Sequence, residues 1–333
     1  MEPRDIRILF LAHYAPNDVD TPIPTTIKDS VYAEYHLKIF QILKHQFPLT
    51  ISSRNPATIL QEHLSVDYIF SLYNRMPFRN SEVFVSSVAE YHNIPYLGAR
   101  PNIRALAEDK HLAKMMARFA GVETPEWKIY NVGAVLKAPD FDPPYFCKPR
   151  FGAASIGIDE SSVCISWTDA QNKIRSLHAK GMDVILERQI KGIYHTSPVL
   201  NNFESCIYLP CIAQHSNLKD GIVTYEQKRK IAPGLTREIV QDHDLQVQII
   251  ASSKKMYPLL QPLDYTRFDY IVDEKSGTPY FLEFNVCCNL GEHSTISQAA
   301  KYIGIEHEEL VSNITYSSMY RSGLLNKTFG KKF

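Results

Sequence analysis

The chain has 333 residues, of which 44% are hydrophobic and 22% are charged. This composition is ordinary for a globular protein, and the length is enough for two or three packed units. The 36 Lys and Arg residues balance the 36 Asp and Glu residues, so the formal net charge is zero. No global field therefore attracts nucleic acid, and the densest basic run, 228–230, is too short to change that expectation.

The first apolar run, residues 6–12, is too short and too early in the chain for a signal peptide or a membrane span. Six cysteines show no CxxC spacing, and the adjacent Cys287 and Cys288 are poorly placed for an ordinary disulfide. We therefore expect a cytoplasmic protein with reduced thiols and no membrane partner.

Residues 1–100 alternate strand and helix patterns. Helical spacing of apolar residues predicts helices at 31–47 and 81–91, and short apolar runs predict strands at 6–12, 66–72 and 94–97. This alternation is typical of a parallel α/β unit.

The pattern changes after Asp109. A short helix is predicted there, with an apolar face that we expect to lie in the core, formed by Leu112, Met115, Met116 and Phe119. Beyond it, strand patterns mixed with helices predict an α+β region with strands at 145–148, 184–187, 197–200, 266–272 and 280–286. We expect boundaries near residues 100 and 190.

The most informative segment is a predicted hairpin over 265–286 with its turn at Ser276 and Gly277. A symmetric hairpin places Asp269 opposite Glu283, and Arg267 opposite Asn285. Two facing carboxylates repel each other unless a cation lies between them. Magnesium accepts carboxylate and amide oxygens, and Arg267 is suited to a phosphate or a developing oxyanion.

A solvated acidic hairpin is the competing interpretation. Large apolar residues argue against it, since Phe268, Tyr270 and Val272 are expected to bury one face. The acidic face is expected to carry Ile271 and Phe281 as well, and carboxylates on a partly apolar face require a partner.

A strand ending at Lys148 precedes a loop of small residues that contains Ser155 and Gly157. Such a loop permits close approach of backbone N–H groups to an anion, and Lys148 adds a point charge, although many such loops are simple turns. Three further phosphate or nucleotide candidates are Lys110, Glu187 and Lys228. Lys228 lies in a basic segment suited to a lid. For each of them alone, a solvated surface charge is the simpler alternative.

The order of these pieces resembles the ATP-grasp superfamily and, within it, the D-alanine–D-alanine ligase branch. The matching residues run from about 95 to 300, and they are specific only in combination. They are Pro95-Tyr96-Leu97-Gly98, Asp109-Lys110, Gly121-Val122-Glu123-Thr124-Pro125, Lys148-Pro149, Ser155-Ile156-Gly157, Arg267 with Asp269, Glu283 with Asn285, and His293-Ser294.

The resemblance implies an N-terminal α/β domain (1–100) followed by a two-part ATP-grasp fold whose antiparallel sheets enclose the nucleotide. The two parts are a central subdomain (101–190) and a C-terminal subdomain (191–325) that carries the metal site and the lid loop. A homodimer is a further expectation from the family.

The resemblance also assigns roles to residues. Lys110, Lys148 and Ser155 contact ATP phosphates, Glu187 faces the adenine, and Lys228 covers the phosphates. One or two Mg²⁺ ions, or Mn²⁺, are held by Asp269, Glu283 and Asn285, while Arg267 and Lys228 serve catalysis. The second substrate contacts Asn289, His293 and Ser294.

The departures from the family concern substrate recognition. The family's His-Gly-x-x-Gly-Glu-Asp-Gly run is absent, and residues 72–79 occupy that stretch. Ala153-Ala154-Ser155 replaces Gly-Ser-Ser, and Arg229 follows Lys228 where the family has Tyr. A ribose-binding acid is replaced near Tyr194, and Cys288-Asn289 stands in place of Pro-Gly.

The leading hypothesis is an ATP-dependent carboxylate–amine ligase. It forms ADP and an acyl phosphate, and acts on an amino acid or a small biosynthetic intermediate. One alternative uses the thiol of a carrier protein as acceptor, and another is a non-catalytic ATP-binding module. Cys287 and Cys288 leave two minor alternatives, a nucleophile or a zinc site with His293.

Overall fold

The computed structural model describes residues 2–23, 27–61, 64–73, 83–152, 155–218, 221–224, 227 and 233–326. Lys228, which the sequence places in a lid, lies outside these ranges. None of the helices in the described ranges combines the length and the apolar character that crossing a bilayer requires.

The N-terminal part is built on a parallel three-stranded sheet. Its central strand β1 (Ile8–Leu11) pairs with β2 (Ile51–Ser53) and β3 (Tyr68–Ser71). Alternate residues of β1 enter different cores: Phe10 packs in the core that includes helix α1 (Ile27–Gln46), and Leu9 packs in the core that includes helix α2 (Val83–Tyr91). Cover on both faces explains why the strands read as continuous apolar runs.

The prediction of a strand at 94–97 is wrong. Only Tyr96 forms an isolated parallel bridge, to Ile69. Pro95 has no N–H to donate to the ladder, and the chain turns away at Gly98, whose φ is +99°.

The predicted apolar face of the helix after Asp109 is wrong for Leu112, Met115 and Phe119, whereas Met116 packs against the core. Helices α3 (Pro101–Glu108) and α4 (Lys110–Phe119) follow each other directly. Phe119 is 84% exposed and Met115 is 53% exposed, whereas Ala113 and Ala117 are fully buried. Small alanine side chains let α4 approach the core that contains Phe281 and Phe284, so close packing decided the orientation rather than apolar character.

A four-stranded antiparallel sheet forms the central part. Its order is β4 (Trp127–Tyr130), β7 (Val184–Arg188), β5 (Tyr145–Pro149) and β6 (Val163–Cys164). Helix α5 (Trp167–His178) covers one face through Ala170, Ile174 and Leu177. This sheet holds Lys148 and Glu187 on neighbouring strands.

A six-stranded antiparallel sheet forms the C-terminal part. The long strand β8 (Gly192–Asn202) pairs with β9 (Ser205–Tyr208), β10 (Ile212–Ser216) and β12 (Tyr265–Asp273). Strand β11 (Leu235–Ile239) extends the sheet beyond β10, and β13 (Pro279–Asn285) extends it beyond β12. Later in the described ranges lie the helices α6 (His243–Met256), α7 (Thr295–Tyr302) and α8 (His307–Arg321). The predicted fold class, a parallel α/β unit followed by antiparallel sheets, is confirmed.

Asp264 joins the two ends of the chain. Its fully buried carboxylate accepts hydrogen bonds from Gly98 N (2.6 Å), Ser318 Oγ (2.7 Å) and Arg321 Nε (2.8 Å). Tyr68 Oη in turn donates to Ser318 Oγ at 2.6 Å. One carboxylate thus fixes α8 against the N-terminal sheet and against the turn at Gly98.

We expect Asp264→Asn to lower the free energy of unfolding by about 3–5 kcal/mol, because it leaves the Arg321 guanidinium without its buried partner. Urea unfolding followed by tryptophan fluorescence measures the change. Glu126→Gln is the matched control, since Glu126 pairs with Arg188 at an exposed site and such pairs contribute about 1 kcal/mol or less. Equal losses in the two variants would contradict the role assigned to Asp264.

Candidate active site

A cavity of about 330 Å³ lies between the sheets, a volume typical of small-molecule sites. Its lining combines residues from α1, α4, β5, β8 and β10–β13 with the segment that leads into α7. Most of the polar residues predicted from the sequence line this one cavity: Lys110, Lys148, Ser155, Arg267, Asp269, Glu283, Asn285, Asn289, His293 and Ser294.

The paired strands β12 and β13 bring the acidic residues together in the predicted register. Asp269 lies opposite Glu283, and Arg267 lies opposite Asn285. Both carboxylates face the cavity rather than bulk solvent, and Asp269 is only 8% exposed. The solvated-hairpin interpretation is therefore excluded.

One detail of the predicted hairpin is wrong. The register shifts between Asp269 and Tyr270, so that Tyr270 pairs with Phe281 and Leu282 is the additional residue of a β-bulge. Leu282 packs with Ile271, whereas Phe281 enters the core on the opposite face with Tyr270. An extra residue on one strand reverses the alternation beyond it, which a period-two pattern does not anticipate.

Asp269 is held by three side chains. Its Oδ1 accepts from Thr196 Oγ1 at 3.0 Å, and its Oδ2 accepts from Asn285 Nδ2 at 3.1 Å and from Arg267 Nη2 at 3.2 Å. Burial alone lowers the pKa of Arg267, but Asp269 and the other nearby acids outweigh it and the net pKa is raised. Arg267 is therefore a permanent cation beside the carboxylates.

The buried Nε of Arg267 has no hydrogen-bond acceptor among the described residues. A buried donor without a partner is costly to the protein. An anionic ligand in the cavity would supply the missing acceptor.

Lysines line the other end of the cavity. Lys110 is the first residue of α4, and Asp109 caps the N-terminus of that helix. The Nζ of Lys110 lies 3.7 Å from Glu283 Oε2 and donates a hydrogen bond to the carbonyl oxygen of Gly152. Burial lowers the pKa of Lys110, and Glu283 partly opposes that shift. The predicted phosphate lysine therefore contacts the predicted metal ligand directly.

A buried lysine that the sequence reasoning missed completes this end. Lys114, fully buried, lies 3.2 Å from Glu187 Oε1, and Lys148 lies 3.0 Å from Glu187 Oε2. Burial lowers the pKa of Lys114 to about 8, opposed by Glu187. Burial also raises the pKa of Glu187, but the two ammonium groups outweigh it and hold it below its ordinary value. The sequence spacing could have indicated Lys114, since it follows Lys110 by one helical turn and therefore lies on the same face of α4.

The small-residue loop borders the same end. Its backbone has positive φ angles at Gly152 (+92°), Ser155 (+60°) and Gly157 (+76°), which are typical of turns. A Cβ at Gly157 would lie 2.8 Å from Pro149 Cγ, so glycine is required there. Ala153 and Ala154, between two of these turns, lie outside the described residues.

Asn289, His293 and Ser294 lie on the segment that enters α7. Asn289 Nδ2 lies 3.3 Å from His293 Nε2, and Ser294 caps the helix by accepting from Ser297 N at 3.1 Å. Arg237 Nη1 donates to the carbonyl oxygen of His293 at 3.1 Å, and Arg237 Nε donates to Gln214 Oε1 at 3.2 Å. Arg237 is a second cavity arginine that sequence reasoning missed.

The donor set fits a magnesium–nucleotide complex. Carboxylate and amide oxygens of Asp269, Glu283 and Asn285 are hard ligands of the kind Mg²⁺ prefers. Four cations (Lys110, Lys148, Arg237 and Arg267) line the cavity with two anions (Asp269 and Glu283), so the described lining carries a net charge of 4 − 2 = +2. A polyanion bound with its metal balances that charge.

A parallel α/β unit followed by two antiparallel sheets around such a cavity is the architecture of an ATP-grasp enzyme. Solved structures share it. The D-alanine–D-alanine ligase from Bacillus anthracis, solved in complex with ATP, has a TM-score of 0.74 at 19% identity, covering 96% of this chain and 98% of that one. The VanG D-Ala:D-Ser ligase from Enterococcus faecalis has a TM-score of 0.69 at 16% identity, covering 94% and 99%.

Sequence comparison identifies the family. Residues 113–316 match the family described as D-ala D-ala ligase C-terminus. A D-alanine–D-alanine ligase from Maridesulfovibrio salexigens is 27% identical over 260 residues, which are 77% of this chain and 81% of that protein. One from Clostridium beijerinckii is 28% identical over 240 residues, or 71% and 76%. The chain therefore belongs to the D-alanine–D-alanine ligase family and is an ADP-forming ATP-grasp ligase of the class that makes C–N bonds.

The two cysteines beside the site have different surroundings. Arg104 donates to Cys287 Sγ, and the thiol of the buried Cys288 donates to the carbonyl oxygen of Asn285 at 3.0 Å. Within the described ranges, no three His, Cys, Asp or Glu side chains are grouped as a metal site.

His36 in the cavity wall is a neutral histidine. Its Nδ1 accepts a hydrogen bond from Tyr14 N at 3.2 Å, which requires that nitrogen to be unprotonated. Burial, assisted by the neighbouring His13, lowers the pKa of His36 to about 3 from 6.5. Between about pH 6.5 and pH 3, His36 is therefore protonated in the unfolded chain but neutral in the folded chain.

It follows that His36 makes the folded state less stable as the pH falls from about 6.5 toward about 3, by at most about 1.4 kcal/mol per pH unit. His36→Asn keeps a short acceptor but does not titrate. We expect the stability of the wild type to fall relative to this variant over that pH window. Urea unfolding at several pH values measures it, with the difference at pH 8 as the reference. A difference that stays constant from pH 8 to pH 4 would contradict the assignment.

Proposed function

We propose that the protein joins the carboxylate of an amino acid or a small biosynthetic intermediate to an amine, through an acyl phosphate and with release of ADP. One observation carries the proposal. Two acids and an amide on paired strands face the same cavity as two buried lysines. This arrangement supports the proposal of a cation site next to a phosphate site.

The lysines of the site are proposed to bind the phosphates of ATP. Lys110 and Lys148 are placed to hold the phosphates, with Ser155 beside them, and Lys114 and Glu187 keep Lys148 in position. Glu187 is proposed to face the adenine as well. Lys228 is proposed to cover the phosphates, although it lies outside the described residues.

Arg267 is placed to stabilise the reacting groups. Its side chain is partly buried, stays charged and lies beside Asp269, so it can contact the negative charge that develops on the γ-phosphate or on the acyl phosphate. Such electrostatic stabilisation is the main contribution a protein makes to phosphoryl transfer. Asn289, His293 and Ser294 are proposed to contact the acceptor.

Asp269, Glu283 and Asn285 are the residues that would hold one or two Mg²⁺ ions, or Mn²⁺. When bound, the metal would neutralise charge on the phosphate oxygens. Lys110 Nζ lies 3.7 Å from Glu283 Oε2, so its positive charge offsets part of the charge of that carboxylate.

An ADP-release assay with pairs of candidate carboxylates and amines tests the proposal. We expect magnesium-dependent ADP formation, and hydroxamate formation when hydroxylamine is added. AMP and pyrophosphate as products would contradict the acyl-phosphate route. A thioester formed on a carrier protein, without an amide product, would contradict the amine acceptor.

We expect Glu283→Gln to reduce turnover by at least about 100-fold, because it removes a charged metal ligand while keeping the shape of the side chain. ADP release measures turnover, and thermal unfolding is expected to change little. Glu274→Gln is the matched control, since Glu274 is exposed at the turn of the same hairpin. Near-normal magnesium-dependent turnover in Glu283→Gln would refute the metal role.

A further inference from the structure

One wall of the cavity is aromatic. It is formed by Tyr14, Tyr32, Tyr35 and His36, which we call the aromatic wall. Tyr14 follows β1, and the other three lie on α1 at positions i, i+3 and i+4, which places them on one face of the helix. The N-terminal unit therefore contributes these rings but no Lys, Arg, Asp or Glu to the described lining, whereas the rest of the chain contributes charged side chains as well as rings.

His36 is the centre of the aromatic wall. Its ring centroid lies 4.8 Å from that of Tyr35, 5.9 Å from that of Tyr14 and 6.3 Å from that of Tyr32. Tyr32 meets His36 edge to face, with an interplanar angle of 81°. These separations fall within the range in which aromatic rings attract each other.

Residues 290–293 hold the aromatic wall in place through contacts with Tyr35. Tyr35 Oη accepts a hydrogen bond from Leu290 N at 3.0 Å, and its ring packs edge to face with His293 at 6.5 Å. A Cβ at Gly291 would lie 3.1 Å from Tyr35 Cδ2, a contact tighter than ordinary packing. The segment that leads into α7 thus supports the aromatic wall, and a ligand meets preformed rings.

The wall is also uncharged. The pKa of His36 is lowered to about 3, and burial raises the pKa of Tyr35 well above its ordinary value. The charged side chains among the described lining residues belong to α4, β5, β11, β12 and β13. An uncharged surface of rings favours an apolar or aromatic group over an ionised one.

We propose that one substrate of this ligase is an amino acid with an aromatic side chain, whose ring packs on Tyr14, Tyr32 and His36. The inference rests on the proposed function in taking an amino acid as substrate. A methyl side chain can contact only a small part of these rings, whereas an aromatic side chain can pack across them. An alkylammonium group can also lie on tyrosine rings, but a neutral wall without a carboxylate favours the aromatic ligand.

Equilibrium binding tests this inference without requiring turnover. The full chain is saturated with Mg²⁺ and a non-hydrolysable ATP analogue, and isothermal titration compares the D and L forms of phenylalanine, tyrosine, tryptophan, alanine and lysine. We expect at least one aromatic amino acid to bind at least 10-fold more tightly than alanine of the same configuration. Alanine or lysine binding as tightly as every aromatic amino acid would overturn the inference.

Substitutions then locate the site. We expect Tyr32→Ala to reduce the advantage of the aromatic ligand over alanine to less than about 3-fold, and Tyr32→Phe to retain it because the ring remains. Tyr91→Ala is the matched control, since Tyr91 is a helical tyrosine that is 82% exposed. An unchanged preference in Tyr32→Ala would also overturn the inference.

The two proposals fail in different ways. If alanine is preferred and ADP is released with alanine pairs, the ligase function stands and the aromatic substrate is wrong. If an aromatic amino acid binds through Tyr32 but no pair of substrates yields ADP, the binding site stands and the proposed reaction is wrong.

Discussion

The functional site depends on one electrostatic constraint: two carboxylates on paired strands must share one cavity. Asp269 and Glu283 are brought opposite each other by the β12–β13 register. The structure offsets their repulsion on both sides, with Arg267 beside Asp269 and Lys110 beside Glu283. A charge pattern that needs so many partners is costly as structure alone, which is why a functional interpretation is favoured.

The second buried charge group explains how the lysine end is kept in order. Glu187 lies between Lys114 and Lys148, so one carboxylate fixes two ammonium groups on different elements, α4 and β5. The helix contacts the C-terminal sheet through alanines, whereas β5 belongs to the central sheet. The ion group therefore fixes the distance between the two sheets beside the end of the cavity that Lys148 lines.

The N-terminal unit has a different role in the site. It contributes no charged side chain to the described lining of the cavity, but it supplies the aromatic wall, and the buried Asp264 ties it to α8. Under the two proposals, the N-terminal unit contacts the side chain of one substrate, and the other two parts contact the phosphates. A family can in this way change its substrate by altering one wall while the opposite side stays the same.

The sequence by itself determined the fold class and the pairing of polar residues at the acid hairpin, because period-two alternation and the turn at Ser276 and Gly277 are local properties. It also placed Lys110, Lys148 and Glu187 in the order that the family requires. Tertiary structure decided which side chains are buried at places where local periodicity does not predict it. The β-bulge moved Phe281 to the core face, and close packing of Ala113 and Ala117 left Phe119 exposed. The same packing buried Lys114, whose role depends on a carboxylate that lies 73 residues further along the chain and meets it only in the folded protein.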